Sequence, residues 1–260
     1  MLSIVIPAYN EEKRIGNTLE RYGEFFRELK KQNRIGDFEL LIVLNGCTDN
    51  TIDVVKKFRK QFQEIRYLNF ERGGKGFALI EGFKDAIKRN SKLIGFVDAD
   101  LASPPEAFYD LINKINGYSG IIASRGLKES RLKMSFMRKL TNRGFNFVVR
   151  AFLFLPFSDS QCGCKLFKRE AVAEVINDLG ITRWAFDVDL LYKLKKKRFK
   201  IKEVPTVWED KKGSKLDLIR VPLLMFLSIV RLRILNSWFR GFIRFYDKLP
   251  EWIKVHHRLR

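Results

Sequence analysis

The sequence predicts an α/β fold in which a mostly parallel central sheet carries helices on both faces. Five short apolar runs (residues 2–6, 38–44, 65–70, 93–97 and 120–123) read as buried strands. Between them lie polar, periodic stretches of helix length at 11–33, 50–62, 76–90 and 105–116. The 260 residues, 46% of them hydrophobic, are enough to bury a large core without disulfides or structural metals.

The second half is less regular. A basic segment from residue 126 leads into an apolar stretch at 142–157 that reads as helix. Residues 170–178 and 188–197 read as two further helices, and 199–207 as a late strand. No internal repeat, linker or low-complexity tract interrupts the chain.

Composition narrows the function classes. The 23 Phe exclude a disordered tail protein, and the three cysteines (Cys47, Cys162, Cys164) exclude a disulfide scaffold and suit a reducing compartment. Residues 1–6 are too short for a signal-peptide core, and the longest apolar run, 221–230, is half of what a membrane span requires. The expectation is an intracellular chain without a transmembrane anchor. Net charge is +20, but residues 1–125 carry only 20 Lys and Arg against 17 Asp and Glu, while 126–260 carry 30 against 13. Such a basic half calls for an anionic partner: nucleic acid, phospholipid or a phosphorylated substrate.

Parallel sheets bind ligands at the carboxyl ends of their strands, so the residues after each run are the candidate site. After the first come Pro7, Ala8, Tyr9, Asn10, Glu11 and Glu12, where Pro7 should end the ladder and a helix start offers N–H groups to an anion or a base edge. After the second, Gly46 permits a tight turn and Thr48 or Asp49 can cap the next helix, while the Asn45 amide can hydrogen-bond a nucleobase. After the third, Arg72-Gly73-Gly74-Lys75-Gly76 fails as a phosphate-binding P-loop, because Asn69 and Gly76 stand where Gly and Ser or Thr are required. What survives is a loop that sets Lys75 at a helix start as a diphosphate contact.

After the fourth run, Asp98 and Asp100 flank Ala99. Read as a continued strand, residues 98 and 100 face one side, two hard oxygen ligands for Mg²⁺ or Mn²⁺ with phosphate oxygens completing the shell. The alternative is a pair of surface or capping carboxylates before Pro104 and Pro105. The fifth run ends at Arg125, whose fork suits a phosphate, or else a surface ion pair.

In order and spacing these segments resemble a family-2 glycosyltransferase of the GT-A (nucleotide-diphospho-sugar transferase) fold. Later motifs sharpen the likeness: residues 159–167 (DSQCGCKLF), 184–191 (WAFDVDLL), Glu203-Val204-Pro205, Trp208 and Gly213-Ser214-Lys215-Leu216 resemble the dolichyl-phosphate β-glucosyltransferase branch. Leu44 and Asn45 stand where the family usually has acidic residues. Ala102 replaces a glutamine common in the related mannose synthases, which leans toward the glucosyl branch.

The resemblance implies an inverting transfer of glucose from UDP-glucose onto a polyprenyl (dolichyl-type) phosphate. The alternatives are a dolichyl-phosphate mannose synthase-like enzyme using GDP-mannose, another family-2 enzyme, or a non-enzymatic nucleic-acid- or membrane-binding protein. It further implies a catalytic domain over 1–220, with donor binding at about 1–125 and acceptor binding at about 126–220. Pro7, Ala8, Tyr9, Asn10, Glu11, Asn45, Lys75, Asp98, Ala99, Asp100 and Arg125 would face the donor, and Arg138, Lys211, Lys212 and Lys215 the acceptor phosphate. Asp187 matches the family's late acidic residue and joins Asp98 and Asp100 as catalytic.

On a helical wheel, Leu235, Trp238, Phe239, Phe242, Phe245 and Tyr246 gather opposite Arg240, Arg244 and Lys248. Residues 221–260 therefore read as a basic amphipathic appendage, docked on lipid or packed on the core, at the cytoplasmic face of a membrane and without nucleic acid.

Overall fold

A computed structural model describes residues 1–180, 185–211 and 220–236. The first half alternates as the sequence predicts: β1 (Leu2–Ala8), α1 (Ile15–Lys31), β2 (Phe38–Asn45), α2 (Thr51–Gln61) and β3 (Ile65–Phe70). Then follow α3 (Lys75–Lys88), β4 (Leu93–Val97), α4 (Pro105–Lys114) and β5 (Gly120–Ser124). Helix α1 forms because Ile15, Leu19, Tyr22, Phe26 and Leu29 recur at helical spacing and all are buried on one side. β1 and β2 are buried along their whole length, as strands covered on both faces must be.

The second half continues with β6 (Arg131–Lys133), α5 (Phe136–Leu153), β7 (Cys164–Lys168) and α6 (Arg169–Val175). After a short 3₁₀ turn at Ile176–Asp178 come α7 (Phe186–Lys196), β8 (Ile201–Pro205), β9 (Val207–Glu209) and α8 (Arg220–Leu235). Seven strands lie in the order β3-β2-β1-β4-β7-β5-β8, and only β7 runs antiparallel to its neighbours. Helices α1, α2 and α4 contribute to the core on one face of the sheet, and α3, α5, α6, α7 and α8 to the core on the other.

Several expectations are corrected. Pro7 does not end β1: it continues beside Val43 of β2, tolerated because pairing with β4 has already stopped at Val5. Strand β7 escapes a reading by apolar runs because its sequence is Cys-Lys-Leu-Phe-Lys, with a lysine in the buried middle. The late strand divides at Thr206, after which β9 leaves the main sheet to pair with β6. Helix α5 starts at Phe136, where Ser135 caps it by accepting the Arg138 N–H. Helix α8 does not offer residues 221–230 wholly to lipid. Its Ile229 and Leu232 are buried in the same core as Val149 and Leu153 of α5, leaving Phe226 and Leu227 exposed. The aromatic helix expected beyond Leu235 lies outside the described residues.

A polar network fixes the segment before β7, where three backbone N–H groups would otherwise be orphaned. Glu203 of β8 accepts from Ser158 N (2.8 Å) and Asp159 N (2.9 Å), and Asn146 of α5 accepts from Ser160 N (2.9 Å). Asp159 accepts from Arg125 through Nε (2.6 Å), Nη2 (3.0 Å) and the backbone N–H (3.0 Å), and both side chains are buried. Burial works to raise the Asp159 carboxyl, and the Arg125 guanidinium outweighs it, holding the pKa down at about 2. Because the folded value lies below the unfolded one, this pair stabilises fully above the ordinary carboxylate pKa and is lost as pH falls toward 2. Asp159→Asn, which leaves the Arg125 charge buried, is expected to cost about 3–5 kcal/mol in urea unfolding at neutral pH. A change below ~1 kcal/mol would contradict this account.

Candidate active site

The carboxyl ends of β1, β2 and β4 open together, because β1 pairs in parallel with both others. The turns after β1 and β2 are stapled to each other. Asn10, at φ 53°, accepts from Thr48 N (2.8 Å) and donates to Thr48 Oγ1 (3.1 Å). Glu11 N donates to Thr51 Oγ1 (2.8 Å) and Glu12 N to Asp49 (3.2 Å). Asp49 also accepts from Thr51 N (3.0 Å), so it serves the start of α2 from just outside the helix. Tyr9 stands exposed on this rim and Ala8 is buried beneath it.

Asn45 is corrected. It is buried, its amide donates to the Ala8 carbonyl (2.8 Å), and its Oδ1 accepts from Gly74 N (2.9 Å). Its polar groups therefore join β1 to the loop before α3 rather than waiting for a base. Gly74, at φ 130°, then lets the chain turn into α3 with Lys75 as first residue.

Asp98 and Asp100 come together, though not by strand alternation: β4 ends at Val97, and residues 98–100 form the turn beyond it. Helix α1 pins that turn, with Thr18 Oγ1 donating to the Ala99 carbonyl (2.6 Å) and Tyr22 Oη to the Ser103 carbonyl (2.9 Å). Leu101 adopts φ 57°, a left-handed conformation that costs a leucine and that these contacts enforce. Asp100 accepts from Ala102 N (3.0 Å), and Ala102 in turn accepts from Glu209 N (3.0 Å), tying the turn to β9.

The electrostatics of this turn fit a divalent cation. Burial raises the Asp100 carboxyl, and the charge of Asp98 beside it raises it further. Glu11, itself raised chiefly by burial, feels both aspartates. No group of three or more His, Cys, Asp or Glu with metal-ligand placement occurs among the described residues. A cation held by Asp98 and Asp100 would thus take its other ligands from water or from a bound phosphate.

Two lysines lie near the ring of Phe96, one paired with Asp98 and the other with Asp187. Lys75 Nζ lies 5.8 Å from the ring centroid and 2.5 Å from Asp98 Oδ1. Burial opposes its charge, but Asp98 and then Asp187 outweigh burial and hold its pKa above the ordinary lysine value. Lys165 of β7, wholly buried, lies 5.2 Å from the same centroid, 2.5 Å from Asp187 Oδ1 and 2.6 Å from the Cys162 carbonyl. Asp187, in the first turn of α7, is thereby brought to the Asp98 site as expected, but through a buried ion pair. Lys165 was the residue missed; the signal available was a lysine inside an otherwise apolar run. Gly163 closes the arrangement, because a Cβ there would sit 1.8 Å from Asp98 Oδ2.

The acceptor-side residues divide. Arg125 is corrected from a phosphate contact to the buried partner of Asp159, with its guanidinium carbon 5.2 Å from the Trp208 ring centroid. Arg138 lies 5.0 Å from the same centroid and pairs with Asp210 through Nη1. Lys211 pairs with Glu209 (2.9 Å), while Lys212, Lys215 and Trp184 lie outside the described residues. Cys162 and Cys164 are buried thiols, the first pushed up to about 12 by burial, so neither is an available thiolate at neutral pH.

Comparison with known proteins agrees with this geometry. The family described as Glycosyl transferase family 2 matches residues 3–176. The dolichyl-phosphate beta-glucosyltransferase of Dictyostelium discoideum is 34% identical over 251 residues, which cover 91% of this chain and 76% of the relative. The Homo sapiens protein of the same name is 31% identical, with 92% and 77% covered. Among solved structures, Mycobacterium tuberculosis glucosyl-3-phosphoglycerate synthase in complex with Mn²⁺, UDP and phosphoglyceric acid has a TM-score of 0.65 at 18% identity. That likeness covers 90% of this chain and 77% of the other, and it shows the GT-A fold. The matched region holds six of the seven strands of the main sheet and the aspartate turn, and the chain belongs to glycosyl transferase family 2.

Proposed function

We propose that the chain is an inverting hexosyltransferase that moves glucose from UDP-glucose onto the phosphate of a polyprenyl (dolichyl-type) lipid. The observation that carries this reading is the meeting of Asp98, Asp100 and Lys75 at the ends of β4 and α3. The names of the two relatives, both dolichyl-phosphate β-glucosyltransferases, support glucose over the mannosyl alternative and a prenyl phosphate as acceptor.

The nucleophile needs little activation. A phosphate monoester has its second pKa near ~6 and reaches neutral pH mostly as a dianion, so no strong general base is required. The demands are alignment and neutralisation of the departing nucleoside diphosphate. Asp98 and Asp100 would hold Mg²⁺ or Mn²⁺, which supplies a Lewis acid for the diphosphate oxygens. Lys75, at the positive N-terminal end of α3, would turn part of its charge from Asp98 to those oxygens. Lys165 would hold the Asp187 carboxylate in place through their buried ion pair. On the acceptor side Arg138 pairs with Asp210 through Nη1, and its other guanidinium N–H groups would meet a phosphate. Lys211, Lys212 and Lys215 would extend that cationic side.

The protein would work peripherally at the cytoplasmic face of a membrane. Among the described residues no helix is long and apolar enough to cross a bilayer. The +20 net charge supports attraction to anionic lipid.

The direct test supplies membranes, prenyl phosphate and Mn²⁺ with labelled UDP-glucose or GDP-mannose. Label is expected in the lipid fraction from UDP-glucose, and no lipid-linked product from either donor would refute the reading. Asp100→Ala is expected to lower kcat/KM by about 10²-fold or more with the folded state retained, because one of two carboxylates for the cation is gone. Gly163→Ala changes no polar group, yet its methyl must push the Asp98 carboxylate aside. A fall in kcat of roughly 10–100-fold with a native Tm is expected, and wild-type kcat would show that Asp98 need not hold this position.

A further inference from the structure

Helix α5 exposes an apolar stripe that the transfer reaction does not use. Phe136, Leu140, Phe147 and Ala151 recur at helical spacing along the side opposite buried Phe145, Val149 and Leu153. Phe136 and Phe147 are 77% and 72% exposed, more than a phenylalanine normally is on a free surface. Exposed Lys139, Arg143 and Arg150 run along one edge of this stripe, and the whole helix contains no Asp or Glu. At its end Phe147, Arg150, Phe154 and Pro156 line an open groove of about 470 Å³. Exposed Phe226 and Leu227 of α8 add apolar area beside the C-terminal end of α5, where the Phe226 ring packs edge-on against Phe152 at 5.6 Å.

We infer that this α5–α8 face is the surface that docks on an anionic bilayer, with the aromatic side chains entering the acyl boundary and the basic row meeting lipid phosphates. Charge complementarity selects that occupant: an apolar stripe with a row of cations along one edge, on a helix without an acidic residue, fits an anionic lipid interface. The placement agrees, because Arg138 near the start of the same helix turns to Trp208 and Asp210, so lipid under α5 lies beside the proposed acceptor-phosphate residues. The inference uses the proposed acceptor only for this consequence, as vesicle binding is measured without catalysis.

The experiment pellets the full chain with phosphatidylserine-rich vesicles and compares Leu140→Glu with Phe147→Glu combined in one protein. Both side chains are exposed, so Tm should be native, and turnover on a short-chain, water-soluble prenyl phosphate should be unchanged. Vesicle partitioning should fall by roughly tenfold or more. Partitioning equal to wild type overturns the inference. So does a light-scattering result in which the wild type is a dimer, the variant a monomer and vesicle binding unaltered. If the variant loses binding while neither protein transfers any sugar, the docking face stands and the transferase reading falls.

Discussion

Like charges crowded at the lip of a buried sheet must be compensated, and the rest of this site follows from that requirement. Asp98 and Asp100 share one turn, with Glu11 near both. The compensation is internal: Lys75 takes Asp98, Arg14 takes Glu11, and Lys165 takes Asp187. A divalent cation with a diphosphate is a better answer to the first of these, since it brings two positive charges to the carboxylates and two or more negative ones to Lys75. With its charges paired among themselves, the site would exchange partners on binding the proposed donor.

The scaffold supplies rigidity where that exchange needs it. The aspartate turn is held from three directions, by Thr18 and Tyr22 of α1, by Glu209 of β9 and by the backbone of Gly163. Leu101 keeps its left-handed backbone under the same constraints. Behind the turn, Arg125 and Asp159 lock the entry to β7, which carries Lys165 under Phe96. Conversely, Arg138 and Lys211 are cations nearer the surface, paired with Asp210 and Glu209, and would be suited to the proposed acceptor phosphate.

Much of this was legible in the sequence. Apolar runs marked the parallel half of the sheet because β1, β4 and β5 carry no charge and β2 carries only Glu39 near its start, and the rule that ligands gather at strand ends pointed to Asp98, Asp100 and Lys75 as candidates. The misses have a common physical cause: residue type does not reveal which partner a polar group will find. Asn45 and Arg125 stand at strand ends as expected, yet the fold uses their hydrogen-bonding groups on Gly74, Ala8 and Asp159. Lys165 hid strand β7 because the charge of this buried lysine is met by Asp187, twenty-two residues on, an ion pair with no local signature. The apolar content of α5 was read as helix, but which of its faces would be buried emerged only once α8 had covered the other side of Val149 and Leu153.

Calorimetric titration of UDP into the protein with and without Mn²⁺ tests the central claim most directly. The account predicts that the cation tightens UDP binding by about tenfold or more in the wild type, and that replacing Asp98 and Asp100 together by Asn abolishes this gain. UDP binding of equal strength with and without the cation would contradict it.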